Sequence, residues 1–587
     1  MYSSYYDGKI VFTDLSEIDL GNKYRAFTKD SYIKVAYPED IFHTSLFSKI
    51  VTEFIGSLKE ADDELFDYFE TTLNEITEDL VSITSLLLYV KKENIVKDYP
   101  NYAKMLSDGG KHMAHFLNLL ISFFMSKERF CFLNTETSSD ICLVEQKMST
   151  LRSSLMWVMR RVFENINGAQ SLNEVEINCG FSCGFLTGYN NVDLGGEYSY
   201  LHDIRFVKKT CTVLPYATTT SKNKRIGTYR ESSENLAANL SIIPEEWICL
   251  PFRVGSSLVY FYSHISFLNN VVGAINLFQL ADFDEIKGKK PDIAIVFGGD
   301  KGITTGTYYV DKKNSLLVGY VSRIEEADYF GYVKKLILTL HNIRMIQQNA
   351  LPIHGSMMNI IMKNGKQFNI VIMGDSGAGK SESIEAFRRL AKEYLKDINV
   401  IFDDMGTLFA AEDGIRASGT ETGAFVRIDD LQIGYTFSHL NDSIIYNASK
   451  SNARIVYKCT PYEDVIKKWP IDIFLYANNY EETDKGISFC ENFEEVAAIC
   501  EEGKRKAKGT TGEIGMTSSY FANPFGPVQH EQETRVLVHK MFRQMSEQGV
   551  ALGILYTQLG VEGKSQSGPE YAARKLFNWI NKEGYLK

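Results

Sequence analysis

Phe368-Asn-Ile-Val-Ile-Met373-Gly374-Asp375-Ser376-Gly377-Ala378-Gly379-Lys380-Ser381 is the stretch on which the reading of this chain turns. Its first six residues have the apolar, β-branched texture of a buried strand. Ile384, Phe387, Leu390 and Ala391 then recur at helical spacing. Between them lies GxxxxGKS in the setting that motif requires, strand then loop then helix. The glycines let successive N–H groups converge on one anion at the helix N-terminus. Lys380 adds a positive charge beside the terminal phosphates, and the Ser381 hydroxyl suits Mg²⁺. Residues 374–381 are therefore expected to hold the phosphates of ATP or another nucleoside triphosphate.

Two features flank the loop. Asn399-Val-Ile-Phe402 reads as a strand that ends in Asp403-Asp404. Carboxylates at a strand's C-terminal end beside such a loop are suited to a hard cation, although paired acids also occur in solvated turns. Upstream, His354 stands in Leu351-Pro-Ile-His354-Gly355-Ser356, just before the loop's own strand.

The rest of the chain bounds the answer. It has 587 residues, 44% hydrophobic and 23% charged, with 43 Gly and 12 Pro. That is ordinary globular usage, and the length allows roughly three or four domains at about 150 residues each. A net charge of −11 has the wrong sign for holding nucleic acid by counterion release, so no nucleic-acid partner is expected. The start lacks a basic segment followed by an apolar one, so no secretory signal is read. The most apolar run, Phe116 to Met125, is interrupted by Asn118 and Ser122 and is about half of a membrane span, which predicts a buried helix and no membrane. Nine cysteines scattered over an acidic chain fit reduced thiols in a cytoplasmic protein. Only Cys179 and Cys183 lie close together, and their spacing does not match a zinc knuckle.

Three regions follow from periodicity. Leu65, Phe69, Leu73, Ile76, Leu80, Ile83 and Leu87 mark one face of a long helix, and 1–168 is expected to be helical. Residues 169–345 carry short strand-like runs, such as Trp247 to Val254, Ser257 to Tyr262 and Ile293 to Phe297, and are expected to be a mixed α/β domain on the substrate side. Residues 346–587 form the nucleotide-binding catalytic domain in this reading, and the fold class is mixed α/β. No feature specifies an oligomer.

The stretch from Tyr329 to Leu559 resembles the ATP-dependent phosphoenolpyruvate carboxykinases, with HPr kinase/phosphorylase as a more distant relative. Tyr329-Phe-Gly-Tyr-Val-Lys334-Lys335 is similar to that family's Tyr-Gly-Gly-Glu-Met-Lys-Lys, and His354 follows Lys335 at the family's spacing. Phe402-Asp403-Asp404 is similar to Gly-Asp-Asp, Glu421-Thr-Gly-Ala-Phe-Val-Arg427 to Glu-Gly-Gly-Cys-Tyr-Ala-Lys, and Asn452-Ala-Arg454 to Asn-Thr-Arg. Gly509-Thr-Thr-Gly-Glu-Ile-Gly515 and Leu555-Tyr-Thr-Gln-Leu-Gly560 are similar to a nucleotide-side loop and a late strand.

The resemblance implies a P-loop carboxykinase-like C-terminal domain that converts oxaloacetate to phosphoenolpyruvate with ATP, Mg²⁺ and Mn²⁺. It implies Lys335, His354 and Asp404 as transition-metal ligands and Ser381 as the Mg²⁺ ligand. Lys335, Lys380, Arg454 and Asp403 are the implied catalytic residues, and Arg427 contacts phosphate. Tyr329 and Arg454 line the substrate pocket. A lysine ligates metal only as the neutral amine, so its pKa must be depressed. The family's Arg-Ser-Pro-Lys-Asp motif has no counterpart, and Arg230 in Thr228-Tyr-Arg230-Glu-Ser is the nearest candidate for the substrate carboxylate. Ile514 stands where the family has a loop arginine. The phosphate loop with His354-Gly355 and Asp403-Asp404 is also similar to HPr kinase, in which an aspartate serves as base toward a hydroxyl. A kinase for a protein or small-molecule hydroxyl is therefore the alternative.

Overall fold

The computed structural model describes residues 2–6, 9–13, 26–27, 32–33, 45–60, 73–106, 108–126, 128–134, 157–167, 183–428, 439–448, 450–507 and 515–582. They form a mixed α/β protein with several sheets. Two compact units are present: residues 1–189 with 207–213, and 190–206 with 214–587.

In the first unit, helices Ser45–Glu60, Leu73–Tyr89 and Lys111–Ser126 and the helix over 157–167 bury one stripe each. Phe54, Leu80, Ile83, Leu87, Leu117 and Val162 are buried. The rings of Phe54 and Phe116 lie 5.2 Å apart. Asn165 joins elements by donating to the carbonyls of Leu87 (2.7 Å) and Val90 (2.6 Å). Leu65, Phe69 and Cys179 lie outside the described residues. The helical region expected over 1–168 also contains strands Tyr2–Tyr6, Lys9–Thr13 and Glu128–Asn134. Their sheet continues to Cys183–Gly188, beyond residue 168.

The second unit carries the phosphate-loop motif. Strand Gln367–Met373 pairs parallel with Ile473–Asn478, which pairs parallel with Ala551–Tyr556, and antiparallel with the twelve-residue strand Leu351–Met362. Alternation along these strands fills two faces. Val371, Met373, Phe474 and Tyr476 face a core shared with Leu537, Val538, Met541 and Phe542 of helix Glu531–Glu547. Ile370, Ile372, Ile473 and Leu475 face the opposite core, with Ile384, Phe387 and Leu390 of helix Lys380–Tyr394 and Ala573, Leu576 and Phe577 of helix Ser567–Lys582. Helices on both faces explain why the central strands read as unbroken apolar runs.

Strands Trp247–Val254, Ser257–His264, Ile293–Gly299 and Leu316–Ser322 form a second sheet at the sequence positions expected for them. Helix Phe330–Gln347 packs on Leu316–Ser322 and on Leu351–Met362, and nearly all of its residues are buried. The domain boundary expected at 345/346 thus falls inside an element that both sheets need covered. A small third sheet joins Gly423–Arg427, Arg454–Lys458 and Ile444–Tyr446. Among the described residues, no helix is long and apolar enough to cross a membrane.

Candidate functional site

The phosphate loop takes its shape from glycine and from the ends of neighbouring strands. Gly377 (φ 78°) and Gly379 (φ 101°) are left-handed, and a Cβ on Gly379 would stand 2.7 Å from Thr557. Thr557, just past strand Ala551–Tyr556, donates its hydroxyl to the Ala378 carbonyl at 2.7 Å. Asn479, just past strand Ile473–Asn478, donates to the Gly377 carbonyl at 2.9 Å. The Lys380 ammonium is buried and donates to the carbonyls of Gly374 (2.7 Å) and Asp375 (3.1 Å). Burial lowers its pKa.

His354 ties this loop to the acidic pair through its backbone. Gly374 N donates to the His354 carbonyl (2.9 Å) and Gly355 N to the Asp404 carbonyl (3.0 Å). Side chains then meet on Asp404. Its Oδ1 lies 2.9 Å from His354 Nε2, and its Oδ2 accepts from Lys335 Nζ and Lys334 Nζ, both at 2.7 Å. Lys334 Nζ also reaches Glu421 at 2.9 Å.

The two adjacent lysines titrate differently. Burial alone would lower Lys334, but Asp404 and Glu421 hold it above the usual lysine range. Burial lowers Lys335 to about 8, against the pull of Asp404 and helped by the neighbouring Lys334 charge. Asp404, although desolvated in part, is held well below the carboxylate range by Lys334, Lys335 and His354. Asp403 goes the other way: desolvation brings it to about 7, although it accepts from Ser381 Oγ at 3.1 Å.

Lys335, His354 and Asp404 therefore form one cluster of an amine, an imidazole and a carboxylate, with the Ser381 hydroxyl nearby on Asp403. Nitrogen donors with one carboxylate oxygen suit a first-row transition ion better than Ca²⁺, and an amine poised near pH 8 can lose its proton to coordinate. These residues fit the expected metal. Among the described residues, no group of three or more His, Cys, Asp and Glu is arranged to hold one. The cluster has only two such residues; its third donor is a lysine.

A cleft of about 590 Å³ opens over these groups, lined also by Tyr329, Arg427, Arg454, Arg505 and Phe525. Arg427 and Arg454 are direct cross-strand partners, and both line the cleft. Like charges directly opposite each other destabilise a sheet, so the pair suits a site that receives an anion. Arg454 lies 4.9 Å from the Phe425 ring centroid. Tyr329 is buried at the cleft wall, its ring against Tyr332 and Phe425.

Arg230 is corrected. It is exposed in the short strand Arg230–Glu231, paired with Thr307, and is not among the cleft-lining residues. Lys224 and Arg225 are the cations of that segment that line the cleft, the Arg225 guanidinium 5.1 Å from the Phe525 ring centroid. Lys335 Nζ lies 4.6 Å from the same ring. The buried Tyr229, whose hydroxyl donates to the Tyr332 carbonyl at 2.8 Å, anchors this segment. Arg225 and Arg505 were not singled out by sequence reasoning as site residues. Only the Lys-Arg-Lys run at 504–506 offered a signal, since alternation along a strand sets its middle residue apart from its neighbours. Ile514 and Gly509 lie outside the described residues.

No family model matches this chain, and no curated protein sequence matches it.

Proposed function

We propose that this protein is a cytoplasmic, metal-dependent phosphoryl-transfer enzyme of the carboxykinase type, with a P-loop carboxykinase-like catalytic fold. In this reading it uses ATP, Mg²⁺ and Mn²⁺ to convert oxaloacetate to phosphoenolpyruvate and CO₂. The observation that carries the reading is the meeting of Lys335 and His354 on the two oxygens of Asp404, beside the phosphate loop. A simple hydroxyl kinase has no use for the depressed lysine.

Lys335, His354, Asp404 and Ser381 would hold the divalent cations, which would supply charge neutralisation for the transferring phosphoryl group. The chain does the rest. Arg225 and Tyr329 hold and orient the dicarboxylate at one end of the cleft. Loss of CO₂ leaves the electron pair on the enolate, whose oxygen attacks the γ-phosphorus and displaces ADP. Lys380, Arg427 and Arg454 oppose the charge on the phosphoryl oxygens as it moves. Lys334 stays protonated and keeps Asp404 and Glu421 in place.

One observation favours the second reading, phosphorylation of a hydroxyl. Asp403, raised to about 7 and bonded to Ser381, has the pKa of a general base. Purified protein with ATP, Mn²⁺ and oxaloacetate should release CO₂ and phosphoenolpyruvate, and Lys335→Ala should abolish this. ATP turnover that needs a hydroxyl acceptor, ignores oxaloacetate and survives Lys335→Ala would select the second reading.

A further inference from the structure

Asp375, the second residue of the phosphate loop, is a buried acid of the cleft that the mechanism above leaves without a task. Its carboxylate is buried, so its charge must be compensated by its surroundings. Partners come from three separate elements. Arg505 Nε of strand Lys504–Lys506 is 3.1 Å from Oδ2, Ser519 donates its hydroxyl to Oδ2 at 3.0 Å, and His354 Nδ1 of strand Leu351–Met362 is 3.4 Å from Oδ1. Against burial, His354, Arg505 and the Ser376 amide hold the carboxyl below its usual range. Its own carbonyl accepts from Lys380, and its Oδ1 from Ser376 N at 2.6 Å, so the residue is part of the loop's anion cradle.

The His354 ring makes this arrangement more than a packing contact. Both ring nitrogens face acceptors, Nδ1 the Asp375 Oδ1 and the Ala522 carbonyl at 3.2 Å and Nε2 the Asp404 Oδ1 at 2.9 Å, so the ring bridges the two carboxylates. Any phosphate that draws Lys380 off the Gly374 and Asp375 carbonyls releases the peptide that carries the Asp375 side chain.

We propose that Asp375 is a positioning residue that couples the phosphate loop to His354 and to the Arg505 hairpin, so that nucleotide occupancy is transmitted to the metal-ligand cluster. The inference rests on the phosphoryl-transfer reading.

Histidine ¹⁵N NMR on the full chain in EDTA, with and without ATP, tests it. His354 signals, assigned by their loss in His354→Gln, should move when ATP binds wild type. In Asp375→Asn, which keeps the volume and removes the charge, ATP should bind about tenfold or more weakly by calorimetry. At saturating ATP the variant's His354 signals should stay still. Equal movement in the variant overturns the coupling while leaving the enzyme reading intact; wild type that binds no ATP overturns the enzyme reading itself. Should Asp375→Asn not fold, Arg505→Gln leaves the loop unaltered. Hydrogen exchange of 504–506 and 516–518 should then show ATP protection in wild type and none in the variant, and equal protection overturns the proposal.

Discussion

At the scale of single residues, the site depends on neighbours in sequence having opposite chemistry. Lys334 and Lys335 lie about 100° apart on one helix, yet both reach Asp404, and the second carboxylate at Glu421 decides which keeps its proton. Because the neutral amine is the metal-binding form, Mn²⁺ affinity should rise roughly tenfold per pH unit below about 8 and level off above it. Lys335→Met should remove that dependence, as read by electron paramagnetic resonance of free Mn²⁺. Lys334→Met leaves the buried Glu421 carboxylate without its ammonium and takes one of three partners from the half-buried Asp404, and should cost about 3–5 kcal/mol in urea unfolding at neutral pH. Asp403-Asp404 splits in the same way. Sequence showed both acids; which is held ionised and which is raised toward 7 depends on Lys334, Lys335 and His354, which converge from other elements.

Elements supply the geometry that single residues cannot. The phosphate loop was legible because its requirements are local: a strand that buries alternate residues, glycines for left-handed turns, and a helix that starts at Lys380. What braces it was not, since Asn479 and Thr557 follow strands far along the chain. Gly379→Ala combines a left-handed backbone with a Cβ at 2.7 Å from Thr557; it should cost about 1–3 kcal/mol in thermal or denaturant unfolding and abolish ATP binding by calorimetry. Sequence order favoured Arg230, but the buried Tyr229 fixes the segment so that Arg225 lines the cleft. Arg225→Ala should raise KM for oxaloacetate about tenfold to a hundredfold, the loss of a charge-assisted contact, and Arg230→Ala should leave it unchanged in steady-state assays.

Across the whole molecule, bulk charge and local charge have opposite signs. The chain carries −11, yet Arg225, Lys335, Lys380, Arg427, Arg454 and Arg505 all line one cleft. If net charge governed association, added salt would relieve repulsion and tighten binding of an anionic nucleotide. The local field predicts the reverse: ATP affinity should fall as KCl rises from about 0.05 to 0.5 M, since the Debye length shrinks from roughly 14 to 4 Å. Calorimetry across that series decides between the two. All of these residues belong to the compact unit formed by 190–206 and 214–587.

By itself the sequence determined the buried strand, the glycine-rich loop, the helix that follows it and the acidic pair at the next strand's end. Each is set by local stereochemistry or by short-period burial, which a linear string records. Tertiary structure alone decided that Arg427 faces Arg454, that Arg505 and His354 share Asp375, and that Lys334 and Lys335 differ. These outcomes depend on desolvation and on charges brought together from distant segments, and neither quantity exists until the chain has folded.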